Sequence, residues 1–304
     1  MLSQDELALL EAIRATGSLS RAAAQLGKAP STVSYAARQL EERFDALLFD
    51  RRHYRLQLTP AGHLLMEEAA RLSQDMARLT QRVQQVASGW ESRLWIVTDE
   101  VLEFETLLPM IQSFDALKSG VPLRITHEVL RGTWEALSDG RADLVIGATN
   151  EPPRIPTLRW FELGVMEWVF AVSPRHPLAR AKRPISRDML AEHRAVVVAD
   201  TSRNAEGRTY GVSVGQGTLA VPSMRAKVLA QRAGLGVGWL PRQRVLPLLE
   251  RGELVEKEMT NPREPNILYV GWQGDQGRAM EWWLEQLRQP SLAARLIQGL
   301  PMVF

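Results

Sequence analysis

Residues 17–59 read GSLSRAAAQLGKAPSTVSYAARQLEERFDALLFDRRHYRLQLT, and this stretch decides the fold of the N-terminal part. It describes two short helices joined by a tight turn and followed by a basic hairpin. Ser20 stands where the N-cap of the first helix is expected, its hydroxyl offered to free backbone N–H groups. Ala22, Ala23 and Ala24 are small enough for a second helix to cross closely. Leu26 anchors the first helix, and Gly27 ends it, because glycine adopts the left-handed conformation without strain. Pro30 suits the first turn of the next helix, where its missing N–H costs nothing. Val33, Ala37 and Leu40 then form an apolar stripe. Ser31, Thr32, Ser34, Tyr35 and Arg38 fall on the opposite face, and such a face suits a DNA major groove.

The charge distribution supports that reading. From Ala12 to Leu40 the chain carries Arg14, Arg21, Lys28 and Arg38 and no acid, while Arg51, Arg52 and Arg55 cluster around Tyr54. Alone, such a run is an ordinary solvated surface. Beside a helix-turn-helix pattern with a hairpin at the right distance, it reads as a phosphate-binding face. The candidate DNA contacts are therefore Ser20, Arg21, Pro30, Ser31, Thr32, Ser34, Tyr35 and Arg38, with Arg51, Arg52 and Arg55 holding phosphates or reaching the minor groove.

Gly17-Ser18, Ala22-Ala23, Leu26-Gly27, Val33-Ser34, Leu40-Glu41 and Leu48-Phe49, followed by Arg51-Arg52, make up a pattern similar to the head of the LysR-type transcriptional regulators of bacteria. Thr59-Pro60-Ala61-Gly62 is similar to that family's entry into its linker helix. Ala29-Pro30 departs from the polar pair usual there, so site preference does not carry over. Further on, Ala233-Gly234-Leu235-Gly236-Val237-Gly238-Trp239-Leu240-Pro241 resembles another signature of the family, in the expected order.

With 304 residues, 45% of them apolar, the chain has room for two or three compact units. No apolar run approaches the roughly 20 residues of a membrane span, and the N-terminus lacks a signal-peptide pattern. The absence of cysteine excludes disulfides and cysteine-ligated zinc. With a DNA-binding head, the expected location is the cytoplasm. A net charge of +2 says little by itself.

The expected organisation is α/β with an N-terminal winged helix-turn-helix. Residues 1–60 form the DNA-binding domain, 61–89 a linker helix for dimerisation, and 90–304 an effector-binding domain. Leu65, Ala69, Leu72, Met76, Leu79, Val83 and Val86 repeat at alternating intervals of 4 and 3 residues. That is an a/d seam on an otherwise polar helix, so pairing with a second copy is expected in place of packing within its own domain. Beyond Ser88-Gly89, strands are expected at Arg93–Thr98, Pro122–Val129, Ala142–Gly147, Trp168–Ser173, Ala195–Ala199, Gly236–Leu240 and Ile267–Trp272. Helices between them, one starting near Leu107, predict an α/β sheet with right-handed crossovers. By resemblance, the effector domain has two α/β subdomains like a periplasmic binding protein, I over about 92–165 and 270–304 and II over about 166–269.

Ligands of open α/β sheets bind beyond the carboxyl ends of the strands. That rule selects Thr98, Asp99, Glu100 and Val101, then Thr149 and Asn150 in subdomain I. In subdomain II it selects Thr201, Ser202 and Arg203, then Pro222, Ser223 and Met224. Thr98, Thr201 and Ser223 have helix capping as an equal reading. Asp99, Glu100, Glu103 and Glu105 crowd seven residues, with no base between Arg93 and Lys118. Either they repel anions, which implies a neutral or cationic effector, aromatic in view of Trp134 and Trp160, or they sit at a helix N-terminus favoured by the macrodipole.

His53, His63, His127, His176 and His193 show no metal-ligand spacing, and neither a phosphate loop nor a nucleophile elbow occurs. No enzyme or cofactor is expected beyond a small-molecule effector. A periplasmic-type binding protein, an α/β enzyme with an accessory head, and a DNA binder with a vestigial cleft are weaker alternatives. The resemblance implies a homodimer or homotetramer on inverted-repeat double-stranded DNA, answering to RNA polymerase, with no membrane partner.

Overall fold

The computed structural model describes residues 2–50, 56–203, 212 and 215–299, which divide into two compact units, Met1–Val83 and Gln84–Phe304.

In the first unit α1 (Gln4–Thr16) opens with a capping box. The Ser3 hydroxyl accepts the Glu6 N–H, and the Glu6 carboxylate accepts the Ser3 N–H at 2.8 Å. Gly17, at φ +59°, ends it. The next helix, α2 (Leu19–Gln25), starts two residues earlier than expected: its N-cap is the extended Ser18, and Ser20 lies inside the helix, exposed. Gly27 (φ +63°) closes α2, with Gly27 N–H to the Ala24 carbonyl and Lys28 N–H to that of Ala23. Pro30 starts α3 (Pro30–Phe44), whose Val33, Ala37 and Leu40 are buried against Ala22, Ala23 and α1.

The two-residue strands β1 (Phe49–Asp50) and β2 (Gln57–Leu58) pair antiparallel as a wing. Its base is fixed by Glu41, whose Oε1 accepts the N–H groups of Leu48 and Phe49, both at 3.0 Å. Arg51, Arg52 and Arg55 lie outside the described residues. α4 (Pro60–Ser88) follows, the N–H of its third residue, Gly62, bonded to the Thr59 hydroxyl, which donates in turn to the Leu47 carbonyl. Gly62 is required here, because a Cβ would lie 2.1 Å from the Leu48 oxygen. Leu65, Met66 and Ala69 join the head's core, whereas Leu72, Met76, Leu79 and Val83 are exposed. The side chain of Val86 is outside the described set.

The second unit contains β3 (Leu94–Asp99), α5 (Leu108–Asp115), β4 (Leu123–Glu128), α6 (Arg131–Ser138), β5 (Leu144–Ala148) and β6 (Leu158–Met166). After Glu167 come β7 (Trp168–Val172), α7 (Arg187–Ala191), β8 (Ala195–Val198), β9 (Thr218–Val221), α8 (Met224–Arg232), β10 (Gly238–Pro241), α9 (Arg242–Glu250) and β11 (Val255–Glu256). The unit ends with β12 (Asn266–Gln273), α10 (Arg278–Leu287) and α11 (Pro290–Gln298).

A five-stranded sheet has the order β4-β3-β5-β12-β6, parallel across β4, β3 and β5 and antiparallel where β12 meets β5 and β6. It forms subdomain I. The three-stranded sheet β10-β7-β11 and the parallel pair β8-β9 form subdomain II. The chain crosses between the two at Glu167 and again before Asn266. The core of subdomain I sets Ile96, Leu144, Ile146 and Val270 against Met110, Phe114 and Trp283. Sequence reading missed β6, whose burial pattern is irregular because it is an edge strand of the mixed sheet.

Candidate functional site

The head presents one face of α3 to solvent. Ser31, Thr32, Tyr35 and Arg38 are exposed, Tyr35 to 65%, and Ser34 is half-buried. They share a side because their i, i+1, i+3, i+4 and i+7 spacing alternates with the buried Val33, Ala37 and Leu40. Pro30 at the helix start, together with Ser20 and Arg21 on α2, is also exposed. Among the described residues Arg38 has no ion pair, whereas Lys28 is tied to Asp5 at 3.1 Å and Arg43 to Glu6 at 2.6 Å. The N-cap residue of α3, Ala29, makes no side-chain bond to the first turn.

In the second unit a pocket of about 530 Å3, including its open mouth, lies between the subdomains. Subdomain I contributes Asp99, Glu100, Val101, Val129, Leu130 and Thr149. Subdomain II contributes Trp168, Val197, Val198, Met224, Lys227 and Arg263. Its mostly apolar walls with a few polar groups placed among them are those of a small-molecule site.

Of the residues picked from sequence, Asp99, Glu100, Val101, Thr149 and Met224 line this pocket. The others serve as its frame. Thr98 is buried and bonded to His127 Nδ1 at 2.7 Å. The Asn150 carbonyl accepts the Trp134 indole N–H. Thr201 accepts the Val129 N–H at 2.9 Å, the Ser202 N–H is bonded to Asp200, and the Arg203 N–H is bonded to Glu135. Pro222 precedes Ser223, whose hydroxyl caps α8 by accepting the Ala226 N–H.

The acidic segment has a role that neither sequence reading supplied. Glu100 accepts the N–H of Met224, at the start of α8 in the opposite subdomain. Glu103 pairs with Arg244 of α9 at 3.0 Å. Two of the four acids thus tie the subdomains together, one of them at the N-terminus of a distant helix. Asp99 is buried, accepting the Val101 N–H at 3.1 Å and the Thr149 hydroxyl at 3.3 Å. Burial pushes its carboxyl up to about 7.

The far wall changes the charge count that sequence alone suggested. Lys227 is 7% exposed, one turn into α8, and burial followed by the nearby Arg263 guanidinium lowers its ammonium to about 7. Arg263 stacks on Trp168 at 3.5 Å, and both donate to Asn266 Oδ1, at 2.9 and 2.8 Å. Arg263 thus sets a cation across the pocket from Asp99 and Glu100, which the acidic segment alone did not suggest. Nor do Trp134 and Trp160 reach the pocket: Trp134 packs behind the sheet with Val97 and Val145, and Trp160 lies on the outer strand against Tyr269. The aromatic wall is Trp168.

The strand-end rule, applied to β4, would have found Val129 and Leu130. Lys227 and Arg263 gave no such signal. Among the described residues no group of histidine, aspartate and glutamate could hold a metal ion. No described helix is long and apolar enough to cross a membrane.

Residues 4–63 match the family model for the bacterial regulatory helix-turn-helix protein, lysR family, and residues 87–290 that for the LysR substrate binding domain. The chain is 35% identical over 288 residues to the transcriptional regulator PunR of Escherichia coli K12, covering 94% of this chain and 93% of that one. It is 33% identical over 291 residues to the regulator YeeY of the same organism, covering 95% and 94%. Full-length CbnR, solved in complex with its target DNA, superposes with a TM-score of 0.60 at 15% identity over 95% of this chain and all of that one, a likeness of fold.

Proposed function

This chain belongs to the LysR family of transcriptional regulators, and from that premise we propose that it is an effector-responsive regulator that binds inverted-repeat promoter DNA as an oligomer. The observation that carries this reading is the joining of two features in one chain. One is a helix whose exposed face is hydroxyls, an aromatic ring and an arginine without an ion pair among the described residues. The other is a pocket whose walls come from two different subdomains.

Ser31, Thr32, Ser34, Tyr35 and Arg38 enter the major groove, with Ser20, Arg21 and Pro30 at its edge. Arg51, Arg52 and Arg55 of the basic run hold the backbone. The exposed row Leu72, Met76, Leu79 and Val83 pairs with the same row of a second copy, which sets two heads on a dyad site. A neutral small molecule closing on Asp99, Glu100, Thr149, Trp168 and Met224 alters the angle between subdomains. Through the oligomer, that change alters head spacing, DNA bending and access of RNA polymerase in the cytoplasm. A ligand acts this way only by binding one arrangement better than the other.

Selection of genomic fragments by the purified protein at near-physiological salt tests the reading. A few sites with dyad symmetry are expected. Capture without sequence preference, with and without a metabolite extract, would reject it.

A further inference from the structure

Lys227 stands apart from the chain's other lysines, Lys28, Lys118, Lys182 and Lys257. Lys28 pairs with Asp5, Lys118 and Lys182 are exposed, and Lys257 donates to the carbonyls of Ala179 and Ala181. Lys227 is buried, opens on the cleft, and among the described residues its side chain has neither a hydrogen bond nor an ion pair. Its Cε lies beside Gly238, 3.4 Å from where a Cβ would stand there. Val101, Val129, Val197, Val198 and Met224 make up much of the wall around it, beside Asp99, Glu100 and Arg263. A desolvated lysine beside another cation is the arrangement that leaves an amine unprotonated and nucleophilic at neutral pH.

We propose that Lys227 is a covalent capture site for carbonyl compounds, so that the effector class is a small aldehyde or ketone held as an imine. The proposal rests on reading the cleft as the effector site and adds the chemistry that would occupy it. The amine lone pair forms an N–C bond to the carbonyl carbon, and the C=O π pair moves to oxygen. A proton passes from nitrogen to that oxygen, a second proton lets it leave as water, and the nitrogen lone pair forms C=N as the iminium loses its last proton. Amine and carbonyl thus give imine and one water, without a redox change. Burial favours the product by keeping water from reversing the step.

The ionisable groups facing Lys227 across the pocket are Asp99 and Glu100 on one wall and Arg263 on its own. Burial and Arg263 hold the ammonium near 7. At pH 7 an exposed lysine, with an ordinary pKa near 10.4, offers on the order of a thousandfold less free amine. Restricted access lowers that advantage without removing it.

The test uses the full chain with butanal and sodium cyanoborohydride, followed by peptide mass spectrometry. At pH 7 N-butyl Lys227 should accumulate at least about tenfold faster than modified Lys118 or Lys182. Its rate should level off above pH 7 while theirs keep rising. Labelling of Lys227 no faster than those exposed lysines, or a rate still climbing through pH 9, would overturn the proposal. Such a failure leaves the cleft reading standing, because that reading depends on ligand-dependent DNA binding and not on covalent capture.

Discussion

Thr201, in the loop after β8, accepts the backbone N–H of Val129 at 2.9 Å and so joins subdomain II to the loop after β4. The approach exists because residue 132 is glycine: a Cβ there would sit 2.1 Å from the Thr201 hydroxyl oxygen. Gly132→Ala is therefore a wedge between the subdomains. It should cost about 1–3 kcal/mol and lower the melting temperature by several degrees. Thr201→Val removes the acceptor and leaves the Val129 N–H without it, at about 1–2 kcal/mol. Hydrogen exchange at the Val129 amide should quicken in both variants while the head's amides stay unchanged. Unchanged exchange would show that this bond does not hold the subdomains together.

Asp99 and Lys227 oppose each other in their effect on stability with pH. The Asp99 carboxyl is raised to about 7 by burial, so between about pH 4 and 7 the folded chain holds a proton that the unfolded chain has lost. Its contribution to stability therefore falls as pH rises through that window and is flat above it. Lys227 is lowered to about 7, so between about pH 7 and 10 the unfolded chain holds the extra proton, and stability rises with pH there. Asp99→Asn should stabilise the protein at pH 8 and lose that advantage by about pH 4. Lys227→Met should raise the melting temperature at pH 7 and flatten the slope between pH 7 and 10. Melting curves of the three proteins from pH 4 to 10 read both slopes, and parallel curves for all three would contradict the assignment.

Much of this was legible in the sequence where a local rule decides. The glycine stop at Gly27, the proline start at Pro30 and the stripe Val33, Ala37, Leu40 depend on backbone and periodicity within one helix, and the structure has them at those positions. Ser20 was misread for Ser18 because both residues are serine and a cap is set by φ and ψ, which neighbours determine. The strand-end rule reached Asp99, Glu100, Val101, Thr149 and Met224, since topology alone fixes them. Lys227 and Arg263 were illegible for a physical reason. They lie more than a hundred residues from Asp99, and only packing of the two subdomains brings their charge to that pocket. The same distance hid the purpose of Glu100 and Glu103, whose partners Met224 and Arg244 belong to the other subdomain.

The linker row makes a separate prediction. Leu79 and Val83 are exposed to 63% and 62%, on the same helix that buries Met66 and Ala69 in the head. Such a row is stable in water when a second copy covers it. The double change Leu79→Asp and Val83→Asp should shift sedimentation toward monomer and reduce affinity for a dyad site far more than for a half-site. The effector unit should melt unchanged. Retention of the wild-type oligomer would move the interface elsewhere.

Arg38 and Arg52 separate reading from holding. Arg38 lies on the exposed face of α3, beside Ser34 and Tyr35, without an ion pair among the described residues. On the proposed reading it meets a base edge, and removal of such a contact costs about 1–3 kcal/mol at one position of a site. Arg38→Ala should thus weaken binding to the selected site by roughly ten- to a hundredfold and leave binding to unrelated duplex nearly unchanged. Arg52 comes from the basic run Arg51-Arg52-His53-Tyr54-Arg55. A phosphate contact carries no sequence information, so Arg52→Ala should weaken all duplexes alike and reduce the salt slope by about one. Fluorescence anisotropy at four salt concentrations, on the selected site and a scrambled one, distinguishes the two. If Arg38→Ala lowers both affinities equally, α3 is holding the backbone and the base-reading face lies elsewhere.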